Sequence, residues 1–304
     1  MELDKSRECY EQAAAVLPPR LRKAAAALTD LQKASAEEFR LRVGQSLTVL
    51  LPGGEVETPA TVSQEDLETL CNLATEFSRY AAMETLRCGF LPIRGGGRVG
   101  LCGSAVVKDG INTNLRDFSS ASVRIAREKK GIGEQIAPLL FSDGRYTSTL
   151  ILSPPGGGKT TLLRDLIRCL SAGIGTDHPL RVALADERGE VGVVWHGETQ
   201  MDLGPRTDVL DGCPKALAVP MLLRAMNPQV IAVDEITVRE DLRAMSMAAN
   251  CGVGLLATIH SGSVEELTQK PLYAELLQAH VFSTAIVITH VNGTRGYQVE
   301  TLPC

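Results

Sequence analysis

Ser153-Pro-Pro-Gly-Gly-Gly-Lys-Thr160 follows directly on the apolar run Tyr146-Thr-Ser-Thr-Leu-Ile-Leu152 and precedes Thr161-Leu-Leu-Arg-Asp-Leu-Ile-Arg-Cys-Leu170. The first run reads as a strand and the last as a helix. A glycine loop between strand and helix is the setting in which a Walker A phosphate loop works. Glycines at 156, 157 and 158 let the backbone curl so that its N–H groups face an anion, and the helix dipole adds to the attraction. Lys159 then reaches the β- and γ-phosphates, and the Thr160 hydroxyl joins a Mg²⁺ shell. Ser153, Pro154, Pro155 and Thr161 complete the stretch expected to wrap the phosphates of ATP. The pattern asks for Gly first and the chain has Ser153, a change that removes no phosphate ligand.

Gln229-Val-Ile-Ala-Val-Asp234-Glu235 is an apolar run ending in two carboxylates, the Walker B pattern. Asp234 is placed to hold Mg²⁺ through water, and Glu235 to polarise an attacking water. Between the two motifs, Arg181-Val-Ala-Leu-Ala-Asp-Glu187 reads as a further strand ending in Asp186 and Glu187. An extra strand there suggests the RecA/AAA-like phosphate-loop ATPases rather than small kinases or GTPases. Its end aims both carboxylates at the edge where open α/β sheets bind ligands. Gly254-Leu-Leu-Ala-Thr258-Ile-His260-Ser261 brings Thr258 and His260 to another strand end, where His260 can sense a γ-phosphate. Glu187 either helps to position the water or bridges to a basic group such as Arg188, and Glu235 ranks ahead of it as the base.

From 146 onward strands alternate with helices, the signature of a mostly parallel sheet. Residues 146–304 therefore read as a RecA/AAA-like phosphate-loop domain of the α/β class, with final strands at 281–290 and 297–301. Residues 1–127 read as a smaller α+β domain: helices near 11–17, 21–28 and 64–83, strands near 38–44 and 46–51, and a β-meander over 89–107. Residues 128–145, rich in Gly, Lys and Glu, read as a linker. Gly95-Gly-Gly-Arg-Val-Gly100 has dinucleotide-loop spacing, but β-like sequence rather than a helix follows it, so a hairpin turn is the better reading.

A chain of 304 residues buries roughly three-quarters of its unfolded surface and needs no staples. The formal net charge of −5 and few aromatic residues argue against a protein that coats nucleic acid or anionic lipid. Eight cysteines without a Cys-x-x-Cys pair read as reduced thiols in a cytoplasmic chain. No apolar run reaches the length of a membrane span.

The order Walker A, Asp-Glu strand end, Walker B, Thr-Ile-His-Ser resembles the secretion-ATPase superfamily of pilus and type II/IV secretion machines. Asp186 to Glu190 stands where that superfamily has its acidic box, and Thr258 to Ser261 where it has its histidine box. Gly204-Pro-Arg206-Thr-Asp208 and Leu222-Leu-Arg224 resemble its arginine segments. A narrower likeness runs along most of the chain. Phe39-Arg-Leu-Arg-Val-Gly44, Gly95 to Leu101, Val123-Arg-Ile-Ala-Arg127, Arg206 to Lys215 and Val230 to Ile236 are similar to the stage III sporulation protein AA family. That resemblance implies a homo-oligomeric, hexameric ATPase, peripheral at the cytoplasmic face of a membrane and docked on membrane proteins of a sporulation or secretion-like channel. It also implies an arginine supplied in trans, for which Arg206, Arg224, Arg124 and Arg127 are candidates. Asp234 stands where many secretion ATPases have Gly. Two rivals remain open from the sequence: a nucleic-acid-translocating ATPase on the same core, and a nucleotide switch or scaffold that does not hydrolyse.

Overall fold

The computed structural model describes residues 2–80, 82–87, 89–291 and 294–302. The chain divides into two compact units, one of residues 1–127 with 195–200, the other of 128–194 with 201–304.

The first unit opens with α1 (Glu2–Ala14), α2 (Pro19–Ala26) and α3 (Asp30–Ser35). Pro19 suits the first turn of α2, where its missing N–H costs nothing, and Thr29 and Gln32 cap α3 reciprocally. β1 (Glu38–Arg42), β2 (Ser46–Leu51) and β3 (Gly54–Thr61) follow. Then come α4 (Gln64–Ala74), α5 (Met83–Arg87), β4 (Phe90–Pro92), β5 (Arg98–Lys108) and β6 (Ile111–Arg124). The strands form one antiparallel sheet in the order β3-β2-β1-β6-β5-β4. Phe39, Leu41, Val49, Val99 and Val123 from the sheet pack with Tyr10, Leu21, Leu67 and Leu70 from the helices and with Leu17 from the α1–α2 connection.

Two sequence expectations change here and a third is met. The helix read over 64–83 ends at Ala74, because the Thr75 hydroxyl bonds back to Cys71 O and Glu76 and Phe77 both turn to positive φ. Two residues in the left-handed region cannot continue a right-handed helix. The meander expected over 89–107 has only two strands there, β4 and the long β5, and β5 pairs with β6, a strand beyond the expected range. The Gly95 loop does join β4 to β5 as a turn, with Gly95 and Gly96 at positive φ.

The second unit begins with the short hairpin β7 (Phe141–Ser142) and β8 (Arg145–Tyr146). Next are β9 (Thr149–Ser153), α6 (Lys159–Ala172) and β10 (Val182–Asp186), followed by a small hairpin, β11 (Val194–Trp195) and β12 (Glu198–Thr199), of which residues 195–200 group with the first unit. β13 (Thr207–Asp211), α7 (Lys215–Ala225), β14 (Val230–Val233), α8 (Arg239–Asn250), β15 (Gly254–His260), α9 (Val264–Gln269), α10 (Pro271–Gln278), β16 (Thr284–Val291) and β17 (Thr294–Thr301) complete it.

Its main sheet runs β13-β10-β14-β15-β9-β16-β17, parallel except for the last pair. The second unit is therefore α/β with a mostly parallel sheet, and the first is built on an antiparallel sheet. Alternate residues of β9 serve different cores. Ile151 faces Leu162, Leu166 and Leu170 of α6 on one side, while Leu150 and Leu152 face the α7 and α8 side with Leu222 and Met245. Burial on both faces explains why these strands read as unbroken apolar runs. Residues 128–145 are ordered against α6: Ile136, Ala137 and Leu140 share its core, and Gly133 N–H donates to Asp165 Oδ2 at 2.7 Å. The strand that lies between β9 and β14 in space is β15; β10 lies on the far side of β14.

No disulfide links the described cysteines; Cys88 and Cys304 lie outside the described residues. Among the described residues no helix is long and apolar enough to cross a membrane.

Candidate functional site

Parallel strands deliver the ends of β9, β10, β14 and β15 to one edge of the sheet, and the motif residues meet there. Ser153 closes β9 and pairs in register with His260 at the end of β15. The loop that follows is tight. Gly156 and Gly158 have φ of +74° and +99°, a region open to glycine at little cost. A Cβ on Gly157 would lie 1.6 Å from Ser153 Oγ, so that position admits only hydrogen. Pro154, Pro155 and Gly156 face solvent, and Thr160 and Thr161 sit in the first turn of α6. That first turn has backbone N–H groups without helical partners, the donors an anion needs.

Lys159 is buried, and its ammonium is held by Ser153 O at 2.9 Å, Pro154 O at 3.2 Å and His260 Nδ1 at 2.7 Å. Burial lowers its pKa, while the charges of Asp234 and Glu235 act the other way. His260 Nε2 lies 3.0 Å from Glu235 Oε1, and Arg188 Nη1 lies 3.2 Å from the other oxygen, Oε2. One histidine thus bridges Lys159 to Glu235. Glu235 has φ +49°, a backbone state costing roughly 1–3 kcal/mol for a non-glycine residue. Its N–H donates to Thr258 Oγ1 at 2.9 Å, which fixes that turn.

Asp234 accepts from two hydroxyls, Thr258 on Oδ1 at 2.8 Å and Thr160 on Oδ2 at 3.1 Å. A threonine hydroxyl beside a carboxylate is an all-oxygen pair of the kind that suits a hard cation such as Mg²⁺. The residues present fit that ion.

The carboxylates at the end of β10 have separate tasks. Asp186 is buried and accepts backbone N–H groups from Glu190, Val191 and Gly192 at 2.8–3.3 Å. Burial raises its pKa and those three donors oppose the rise. It organises the 186–192 loop, which Arg164 also holds through Glu190 O and Val191 O. Glu187 turns to Lys215, a buried lysine at the start of α7, and forms a short salt bridge with it.

Arg206 and Arg224 sit elsewhere. Arg206 precedes β13, at the edge of the sheet opposite the phosphate loop, and its Nη1 donates to Ser171 O at 3.3 Å. Arg224 occupies the last turn of α7, with Nε 3.2 Å from Pro220 O. Neither joins the loop. In the first unit, Arg124 pairs with Glu38 at 3.6 Å and Arg127 donates to Ala36 O at 2.5 Å.

Arg188, expected as a partner of Glu187, pairs instead with Glu235, while Lys215 takes Glu187 and Arg295 lies against Gly158. Arg188 follows the Asp-Glu pair directly, so its position offered a signal. Lys215 and Arg295 offered none, because only the fold brings them to Glu187 and to Gly158.

The family model for sporulation stage III, protein AA, matches residues 7–299. The chain belongs to the stage III sporulation protein AA family. Within that family it is 35% identical, over 280 residues, to the stage III sporulation protein AA of Bacillus subtilis (strain 168), covering 92% of this chain and 91% of that one. Among solved structures, the pilus retraction motor PilT with bound ADP superposes with a TM-score of 0.59 at 17% identity, covering 88% of this chain and 79% of that one. The Legionella pneumophila ATPase DotB gives 0.58 at 17% identity, covering 90% and 79%. At such identities the likeness establishes the fold: a phosphate-loop α/β architecture shared with these two proteins.

Proposed function

We propose that this family member is a Mg²⁺-dependent ATPase that hydrolyses ATP to ADP and phosphate. The observation that carries the proposal is the meeting of Lys159, Thr160, Asp234, Glu235 and His260 beside a loop with room only for glycine at 157. Ser153 to Thr161 bind the phosphates through backbone N–H groups and the Lys159 ammonium. Thr160 and Asp234 hold Mg²⁺, which when bound neutralises charge on the β- and γ-oxygens. Glu235 is the general base that orients and polarises water. Its two partners, His260 and Arg188, hold the carboxylate in place. His260 also touches Lys159, so a phosphate that draws the ammonium away changes the hydrogen bonding of Glu235 through one imidazole. Glu187, committed to Lys215, serves the loop rather than the water.

The working form is a homo-oligomer, a hexamer, peripheral at the cytoplasmic face of a membrane channel and docked on its membrane proteins. Family membership and the secretion-motor fold support that reading. Arg206 and Arg224, remote from their own loop, then act in the site of a neighbouring subunit, where a positive charge can add about 10³–10⁵ in rate.

The test is Mg²⁺-ATP turnover against protein concentration, wild type beside Lys159→Ala, Glu235→Gln and Glu187→Gln. Turnover that rises with concentration, vanishes in the first two variants and persists in the third is expected. Binding without turnover at every concentration would point to a nucleotide switch. Loss of turnover in Glu187→Gln alone would transfer the role of base to Glu187.

A further inference from the structure

The phosphate loop has two flanks, because β9 lies between β15 and β16 in the sheet. All the motif residues lie on the β15 flank: His260 on β15 itself, and Asp234 and Glu235 after β14 beyond it. On the other flank, β17 pairs antiparallel with β16 and sets Arg295 opposite His290. Arg295 Nε–H donates to His290 Nε2 at 3.4 Å. The guanidinium then lies against Gly158. A Cβ built on that glycine would be 3.0 Å from Arg295 Cζ and 3.1 Å from Nη1. Gly158 therefore meets two demands at once, a φ of +99° and the close approach of an arginine.

The geometry points to Arg295 as a second cationic ligand of the bound nucleotide, acting in cis on the diphosphate portion that ADP and ATP share. This rests on the nucleotide-site reading above and deepens it. Gly158 belongs to the backbone cradle for the α- and β-phosphates, whereas the γ-phosphate is reached by Lys159. A guanidinium beside Gly158, on the flank away from His260 and Glu235, is thus at the diphosphate end. Nε anchors the group to His290, and among the described residues the four Nη hydrogens are left to donate. Their planar fork suits phosphate oxygens. Because such a contact is the same before and after hydrolysis, Arg295 contributes to affinity rather than to sensing the γ-phosphate.

Arg295 is exposed on its strand, so its replacement leaves the fold standing, which a thermal melt verifies. The experiment is calorimetric titration of the full chain with ADP and with ATP in EDTA, so that no nucleotide is consumed. Wild type, Arg295→Ala, Arg295→Lys and Lys159→Ala are compared. Arg295→Ala is expected to weaken both nucleotides alike, by about tenfold or more. Arg295→Lys recovers part of the loss, since it restores the charge but not the fork. Affinities of Arg295→Ala within about twofold of wild type for both nucleotides would overturn the assignment. Loss confined to ATP would overturn it too, by putting the guanidinium at the γ-phosphate. If wild type binds neither nucleotide and matches Lys159→Ala, the site reading itself falls and takes this inference with it.

Discussion

Thr258 holds the site together through a single hydroxyl, and replacing it by valine isolates that hydroxyl. The residue is fully buried at the end of β15. Its Oγ1 donates to Asp234 Oδ1 at 2.8 Å and accepts from Glu235 N–H at 2.9 Å. Valine keeps the shape and removes both bonds, leaving a carboxylate oxygen and a backbone N–H without these partners. A bond to a charged group contributes roughly 1.5–3 kcal/mol and a neutral one roughly 0.5–1.5. The expected cost of Thr258→Val is therefore about 2–4 kcal/mol. At about 2–4 °C per kcal/mol for a unit of this size, the melting temperature falls by roughly 5–15 °C. Thr258→Ser keeps both bonds and loses only a buried methyl, about 1 kcal/mol.

The assay must watch the right unit. The single tryptophan, Trp195, groups with the first unit, so its fluorescence does not report on Thr258. Far-UV circular dichroism in urea, fitted for the transition of the second unit, does. In turnover, Thr258→Val is expected to lower kcat more than it changes KM, because the N–H it releases fixes the strained turn at Glu235. A loss in stability under about 0.5 kcal/mol, the range of an unremarkable surface change, would refute the bridge. So would equal losses in the valine and serine variants, since they would trace the effect to the methyl rather than the hydroxyl.

Gly157→Ala is expected to abolish ADP binding, because its Cβ would lie 1.6 Å from Ser153 Oγ and 2.9 Å from Ser153 Cβ. Adding Ser153→Gly removes both contacts and should restore part of the affinity, a coupling that the calorimetric titration reads directly. Iodoacetamide labelling mapped by mass spectrometry should modify the exposed Cys102 and Cys251 first. Cys71 and Cys169 are buried, one in each unit, and burial raises both thiols, that of Cys169 to about 12. At pH 8 the Cys169 thiolate is then roughly one part in 10⁴, so labelling of these two in rising urea follows the unfolding of each unit separately.

The parts of this fold that a reader can see in the sequence are those buried on both faces. β9, β10, β14 and β15 are fully or almost fully buried, and a strand with two buried faces has no choice but to be an apolar run. β13 escapes notice because it is a half-exposed edge strand, Thr-Asp-Val-Leu-Asp, whose side chains carry no burial signal. β6 escapes for the same reason over most of its length. The false extension of α4 has a different source. Apolar spacing continues past Ala74, but a single Thr75 hydroxyl and two left-handed residues end the helix, and periodicity does not weigh such local bonds.

The candidate site divides along the same line. Glycine, lysine, threonine and the two carboxylates are legible because phosphate chemistry fixes their types and their spacing along the chain. Which cation meets which carboxylate is not, because that depends on contacts between distant strands. In the sequence Glu187 and Glu235 each follow an aspartate at a strand end, and only the Walker B position ranks Glu235 first as the base. The fold separates them: Glu187 meets Lys215, 28 residues on, while Glu235 meets His260 and Arg188. The pairing argues for Glu235 as the base in physical terms. Glu187 is tied to a buried lysine as its counter-ion, whereas Glu235 is linked through His260 to the ammonium of Lys159 in the phosphate loop. Arg295 extends the point to the other flank of the loop. Its position depends on a β-hairpin that has nothing in common with the motif sequence, and only sheet order brings it to Gly158.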